Sequence, residues 1–377
     1  MLKCLIRACA LALSLALGLQ AAHAQGLPPI RHVFVLVLEN KSYEATFAPQ
    51  SAAPYLAHDL APRGALLTQY FGIGHYSLDN YIALISGQAP NEATQMDCPM
   101  FDEFRADAPG LDSHGQLRGS GCVYPALVKT LPDQLEAAGF SWKAYMEDMG
   151  NDPARERAAC AHVPIGAPDP TDGAQIGDQY ANKHNPFVYF HSIIDDPRRC
   201  DAHVVNLTHL LHDLAATAST PNYVFITPNL CNDGHDDPCV DRRHGGAGAA
   251  EVFLKAWVPR IVKSAAFRAD GLLIITFDES GGLNGPASAA CCGEQPLSGA
   301  KYAPGLSGPG GGRIGAVLLS PFIKPGTVSE EPYNHYALLG TIEALFGLPR
   351  LGYAAAPDLK IFGAAVFSAS APHPHAP

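Results

Sequence analysis

The apolar run Val33–Leu38 leads straight into Glu39-Asn40, and the run Leu272–Phe277 leads straight into Asp278-Glu279. Three carboxylates and an amide thus stand at the ends of two apolar runs. They are oxygen donors of the kind hard divalent cations take, although carboxylates also bind zinc. Most Asp and Glu are solvated loop residues, so it is the repetition at two equivalent run ends that singles these out. A third stretch, from Gly74 to Gly87, places Ser77 at the start of an apolar helical segment. Helix N-termini present unpaired N–H groups and the positive dipole end, which suit an anionic group. A metal held by the strand-end acids would lower the pKa of the Ser77 hydroxyl and make it a nucleophile. The same place also suits a serine that simply caps its helix. No G-x-S-x-G elbow surrounds Ser77, which argues against acyl chemistry of the α/β-hydrolase kind.

Further polar stretches are denser than loops require. Thr227-Pro228-Asn229-Leu230-Cys231-Asn232-Asp233-Gly234-His235-Asp236 follows another apolar run, Lys183-His184-Asn185-Pro186-Phe187 closes a long irregular region, and Asn334-His335-Tyr336 precedes a strong helical segment. A lone histidine is usually structural or solvated, so each of these gains weight only in company with the others.

The elements that must position these residues alternate. Strands are expected at His32–Leu38, Ala65–Tyr70, Ser141–Tyr145, Asn222–Thr227, Gly271–Phe277 and Ile314–Leu319. Helices are expected near Leu78–Ser86, Pro132–Ala138, Val204–Ala216, Ala247–Lys263 and Tyr336–Phe346. Runs apolar on both faces belong to strands buried between two helix layers. The βα order therefore predicts an α/β fold, a three-layer doubly wound, mostly parallel sheet. In such sheets ligands bind beyond the carboxyl ends of the strands, where Glu39 and Asp278 fall. We find no internal repeat and no linker that splits the chain, so residues 25–377 read as a single domain. Residues 89–184 have few periodic segments and read as long disulfide-stapled insertions over the sheet edge, an insertion or lid region. The tail 371–377 reads as frayed.

The chain has 377 residues, 47% apolar and 16% charged, enough to bury a large core. Its formal charge of −11 argues against a nucleic-acid or anionic-membrane binder, both of which need a basic face. A basic start, an apolar run from Ala8 to Leu19 and the Ala22-His23-Ala24 site read as a cleavable export signal over residues 1–24. That run is shorter than the ~20 residues a spanning helix needs, so no stable membrane anchor is expected. Of ten cysteines, Cys4 and Cys9 lie in the signal, leaving eight. An even number in an exported chain favours disulfides. Local pairs Cys98–Cys122 and Cys231–Cys239 are expected, with the adjacent Cys291 and Cys292 reaching different partners. A periplasmic or secreted protein follows.

Taken together, these stretches resemble the phosphoesterase family of bacterial and fungal acid phosphatases and phospholipases C, within the alkaline phosphatase superfamily. The resemblance rests on Val37-Leu38-Glu39-Asn40, His75-Tyr76-Ser77-Leu78-Asp79-Asn80-Tyr81, Lys183-His184-Asn185-Pro186-Phe187, the Thr227–Asp236 stretch, Thr276-Phe277-Asp278-Glu279-Ser280 and Asn334-His335-Tyr336, in family order along nearly the whole chain. It implies an alkaline phosphatase-like sheet and a divalent metal ion of unassigned identity held by Glu39, Asn40, Asp278 and Glu279 with the hydroxyl of Ser77. It implies Ser77 as the nucleophile that becomes phosphorylated and Asn80 as a ligand of a phosphoryl oxygen. His75, His184, His235 and His335 would bind phosphate or protonate the leaving oxygen, with His235 and His335 counted as catalytic. Asp233 and Asp236 would lie at the substrate site chiefly to orient His235. Ser280 stands where the phospholipase C branch usually has histidine, and the chain ends soon after the last motif; both lean toward the acid phosphatase branch.

The expected activity is a metal-dependent phosphoric ester hydrolase, first an acid phosphatase acting on a small phosphate ester through a phosphoserine. Alternatives are a phospholipase C or phosphodiesterase acting on phospholipid head groups, and a non-catalytic exported protein that binds phosphate. If cationic histidines bind the phosphoryl group, an acidic optimum is expected.

Overall fold

The computed structural model describes residues 26–293, 296–297 and 299–368. The expected signal and the 371–377 tail lie outside them. Eight strands form the main sheet: β1 (His32–Leu38), β2 (Ala65–Leu67), β3 (Trp142–Met146), β4 (Val204–Asn206), β5 (Tyr223–Thr227), β6 (Gly271–Phe277), β7 (Ala316–Leu319) and β8 (Thr327–Ser329). Their spatial order is β8-β2-β7-β6-β1-β5-β3-β4. Only β7 runs against its neighbours β2 and β6, so the sheet is mostly parallel, as the alternating pattern predicts.

The centre of the sheet is the most apolar part. Every residue of β1, β5 and β6 is buried, which explains runs that show no polar alternation. Helix α1 (Ser77–Ser86) packs with α2 (Leu131–Ala137) and α4 (His335–Phe346), while α3 (Gly246–Lys263) packs against β6 and the Tyr55–Leu60 turn. Each of the site-bearing helices has a clear stop or start. Gly87 ends α1 in the left-handed region (φ 69°), where a Cβ would run into the Leu351 carbonyl oxygen at 2.4 Å. Asn334 starts α4 by accepting the N–H of Ala337 at 2.9 Å.

Two expectations about local structure are corrected. The predicted helix Val204–Ala216 is broken into three elements. Val204 and Val205 pair with Ala144 and Tyr145 as edge strand β4, and the Asn206 side chain takes the Thr208 N–H and turns the chain. Only Leu210–Asp213 is α-helical. The β-branched valines find a sheet edge, and that tertiary pairing overrides the helical period. Cys291 and Cys292 are bonded to each other, not to separate partners. The other six cysteines among the described residues are already paired as Cys98–Cys122, Cys160–Cys200 and Cys231–Cys239, so none of those remains for either. The region 89–184 is not all peripheral: β3 within it lies between β5 and β4, and its end carries Lys183-His184 into the site described below.

The Cys160–Cys200 bond closes a separation of 40 residues and Cys231–Cys239 one of 8. Loop-closure entropy then assigns about 4 kcal/mol to the first and about 2.5 kcal/mol to the second. Denaturant unfolding of the two double Cys→Ser variants should therefore show the larger loss for Cys160/Cys200. Equal losses, or the reverse order, would mean that native-state strain rather than chain entropy sets the contribution.

Candidate active site

Strand register alone places the first two acids together. Leu38 of β1 sits opposite Phe277 of β6 in a parallel pair, so the next residues, Glu39 and Asp278, leave the sheet side by side. Asn40 locks them: its backbone N–H donates to Asp278 Oδ1 at 2.9 Å and its side-chain amide to Glu39 Oε2 at 2.9 Å. Strand β5, on the other side of β1, runs parallel to it and feeds the Pro228–Asp236 loop. There the Glu39 N–H donates to the Asp233 carbonyl at 2.9 Å. Lys41 crosses between these loops and donates to the Gly234 carbonyl at 2.7 Å.

Glu39, Asp233 and His184 form a buried triad whose donor atoms all lie within 4.8 Å of one another. Both ring nitrogens of His184 and Oδ2 of Asp233 are buried without a hydrogen-bond partner. Although His184 lies 3.5 Å from Glu39 Oε1 and 3.4 Å from Asp233 Oδ2, these are not ion pairs of a charged histidine. Burial, with the adjacent Lys183 cation, pushes His184 down to about 3, which leaves a neutral ring with a free lone pair. Burial, with neighbouring carboxylates, holds Glu39 well above the usual carboxylate range, and burial raises Asp233 as well. Two carboxylates ~4 Å apart at an effective dielectric near 20 repel by about 4 kcal/mol, so the cluster cannot ionise fully without a counter-cation. Unpartnered ligand atoms and uncompensated negative charge fit a divalent cation.

Ser77 is buried, with 4% of its surface exposed, and its hydroxyl donates to Glu39 Oε2 at 2.8 Å. The preceding Tyr76 has φ 75°, an unusual conformation for a residue with a side chain, and it turns the chain sharply into α1. Four residues on, the Tyr81 hydroxyl donates to the other oxygen, Glu39 Oε1, at 2.5 Å.

The structure redistributes several expected roles. Glu279 is not a member of the triad; its carboxylate binds His75 Nδ1, while His75 Nε2 meets the Ala287 carbonyl at 2.9 Å. His75 therefore has no nitrogen left for a phosphoryl group. His335 is likewise consumed, with Nδ1 on the Tyr70 hydroxyl at 3.0 Å and Nε2 on the Asp278 carbonyl at 2.6 Å. It holds the β6 end in place and cannot serve as a proton donor to a leaving group. Asn80 is turned toward its own loop: Oδ1 takes the Ile73 and Gly74 N–H groups, and the amide donates to the Gly74 and Tyr76 carbonyls. Each of its polar contacts braces the turn before Ser77, not a phosphoryl oxygen. His184 and Asp233, expected at the substrate, belong to the triad instead.

His235 differs from the other three histidines in its exposure. Its side chain is 39% exposed and Nδ1 pairs with Asp236 Oδ1 at 2.7 Å, so Asp236 orients it. The Asp236 hydrogen bond raises its pKa, against the opposing effect of burial. The seat at the helix N-terminus is filled from within: Asp97 Oδ1 accepts the Leu78 N–H at 2.9 Å, and Lys183 approaches Asp97 Oδ2 at 3.3 Å. Asp97 and Tyr81 were not among the expected site residues. Tyr81 had a usable signal, since a spacing of four puts it on the Ser77 face of a helix. Asp97 had none, because it reaches Leu78 through a tertiary fold of an irregular segment.

The model of the Phosphoesterase family matches residues 47–349. A phosphate-repressible acid phosphatase of Penicillium chrysogenum is 28% identical over 89% of this chain and 66% of its own length, and an acid phosphatase of Aspergillus fumigatus is 27% identical over 88% of this chain and 60% of its own. This chain thus spans less than two thirds of those fungal relatives. A phosphatidylinositol-3-phosphatase of Mycobacterium tuberculosis is 26% identical over 90% of this chain and 85% of its own length. Among solved structures, a Vibrio parahaemolyticus protein of the alkaline phosphatase superfamily shares the fold at a TM-score of 0.50 and 12% identity, covering 86% of this chain and 68% of that one. A family match over most of the chain and a shared fold join the strand-end acids and the helix-borne serine: the chain belongs to the Phosphoesterase family.

Proposed function

We propose that the protein hydrolyses phosphoric monoesters, with Ser77 as nucleophile and His235 as the acid that protonates the leaving oxygen. The observation that carries this reading is Ser77 itself, whose hydroxyl is held on Glu39, a member of the buried triad. Its hydroxyl hydrogen points at Glu39 Oε2, which leaves the oxygen lone pairs free to face an incoming phosphorus. Glu39, Asp233 and His184 would hold a divalent ion, with Asp278 and Asn40 fixing Glu39 beside it. Such an ion, when bound, lowers the pKa of a serine hydroxyl and stabilises negative charge on phosphoryl oxygens. The Tyr76 turn and the Asn80 hydrogen bonds keep Ser77 from retreating into its helix. His235 is the one histidine of the four expected whose side chain is exposed, and Asp236 orients it through Nδ1, so it would be the group that gives a proton to the leaving oxygen. In-line attack by Ser77 forms the Oγ–phosphorus bond as its proton passes to Glu39 Oε2, and breaks the bond to the leaving oxygen, which takes the proton of His235. Water then attacks the phosphoserine from the face the alcohol left and gives one proton to His235, while Ser77 Oγ takes back the proton held on Glu39 as phosphate is released.

Four disulfides among the described residues suit an oxidising compartment, consistent with export. Among those residues no helix is long and apolar enough to cross a membrane. A second reading, a phosphate carried on a lipid head group, is supported by the mycobacterial relative, whose length this chain nearly spans.

Ser77→Ala, folded as judged by an unchanged unfolding midpoint, should lose p-nitrophenyl phosphate hydrolysis by about three orders of magnitude or more. Chelation should abolish wild-type activity, and a divalent salt should restore it. Bis-p-nitrophenyl phosphate and phosphatidylinositol phosphate micelles serve as competing substrates. Faster turnover of the diester contradicts the monoesterase assignment, and faster turnover of the micelles favours the lipid reading. Undiminished activity in Ser77→Ala returns the serine to a capping role. His235→Ala should slow hydrolysis of an alkyl phosphate by about 10²–10⁴-fold, yet slow p-nitrophenyl phosphate far less, because that leaving group departs without a proton. Equal losses on both would show that His235 acts on binding and not as the acid.

A further inference from the structure

Tyr81 makes two contacts that converge on the triad, and nothing in the reaction sequence above uses it. Its hydroxyl donates to Glu39 Oε1 at 2.5 Å, and its ring stacks on the His184 imidazole with centroids 5.3 Å apart and planes 15° from parallel. Ser77, one turn earlier on α1, donates to Glu39 Oε2. The nucleophile helix therefore grips both oxygens of one carboxylate through residues i and i+4, and presses a ring on a second triad member. Glu39 leaves strand β1 and His184 lies on the short turn Asn182–His184, so Tyr81 is the point where two separate segments are tied to the helix that carries Ser77. The Thr227 hydroxyl supports the same arrangement by donating to the His184 carbonyl at 3.2 Å.

We propose that Tyr81 is a positioning residue of the metal centre: its hydroxyl fixes the Glu39 carboxylate and its ring fixes the His184 imidazole plane in the orientation that binds a divalent cation. A partner that hydrogen-bonds a ligating carboxylate limits its rotation and so reduces the ordering needed when the ion binds. The stack does the same for His184, whose ring nitrogens make no hydrogen bond that would hold the plane. A tyrosine here does what phenylalanine cannot, since only the hydroxyl reaches Glu39. Because Ser77 and Tyr81 share one helix, any ion seated by Glu39 and His184 is placed in fixed register with the nucleophile. This assignment rests on the metal-centre reading of the triad.

The test compares the metal-stripped wild type with Tyr81→Phe and Tyr81→Leu. The dissociation constants of Zn²⁺ and Mn²⁺ are measured by competition with a chromophoric chelator, and the unfolding midpoint of each stripped protein is recorded. Tyr81→Phe should keep the fold and the stack and weaken metal binding by about 10–100-fold, with Tyr81→Leu weaker still. Metal addition should also produce a tyrosine ultraviolet difference spectrum in the wild type that Tyr81→Phe lacks, a signature no purely structural role would supply. If Tyr81→Leu fails to fold, the Tyr81→Phe affinity and the difference spectrum still decide. Tight wild-type binding with the same constant in Tyr81→Phe overturns the Tyr81 assignment alone. A wild-type chain that binds neither ion overturns it together with the metal centre.

Discussion

Everything at the site follows from the parallel pairing of β1 and β6, which sends Glu39 and Asp278 out of the sheet at the same level. Two carboxylates emerging together, with Asp233 brought beside them by β5, concentrate negative charge where water is excluded. Leaving such groups unpaired costs several kcal/mol each, so the surroundings must answer for them. Asn40 answers with donors to both carboxylates, and Tyr81 and Ser77 with one hydroxyl each on Glu39. The remaining deficit is met by a cation or by retained protons. The neutral, lone-pair-bearing His184 suits the first and is no help with the second.

Ser77 is held by a different set of contacts, and the two sets meet at Glu39. Tyr76 turns sharply, Asn80 ties the turn at four points, and the His75–Glu279 pair backs it from the far side. Asp97 closes the helix N-terminus that would otherwise attract any passing anion. Polar groups that look catalytic in one dimension thus divide into a few left with free polar atoms and many that stiffen the frame. A site that forms and breaks a phosphorus–oxygen bond needs the second kind, since the nucleophile must stay within a fraction of an ångström of its line of attack.

Much of this was legible in the sequence, and the parts that were not share a cause. β1 and β6 could be read to the residue because both faces are buried and their ends are abrupt, so Glu39 and Asp278 were placed correctly beside each other. Ser77 could be read because an apolar helix begins on it. The roles of His75, His335, Glu279 and Asn80 could not, because a motif gives residue types but not which of their polar atoms the protein's own backbone and side chains consume. Asp233 and His184 were read as substrate groups because their approach to Glu39 depends on where two irregular segments fold back. The helix expected at Val204–Ala216 failed for the same reason, a sheet edge that no local window contains.

Passage of the phosphoryl group through Ser77 can be seen directly. Protein mixed with p-nitrophenyl phosphate is quenched in acid during turnover, digested, and the peptide containing Ser77 is examined by mass spectrometry. A single phosphoryl group on Ser77 is expected, appearing within the first turnover and absent when metal has been stripped beforehand. Sustained hydrolysis with an unmodified Ser77 peptide, or with the phosphoryl group on another residue, would contradict it.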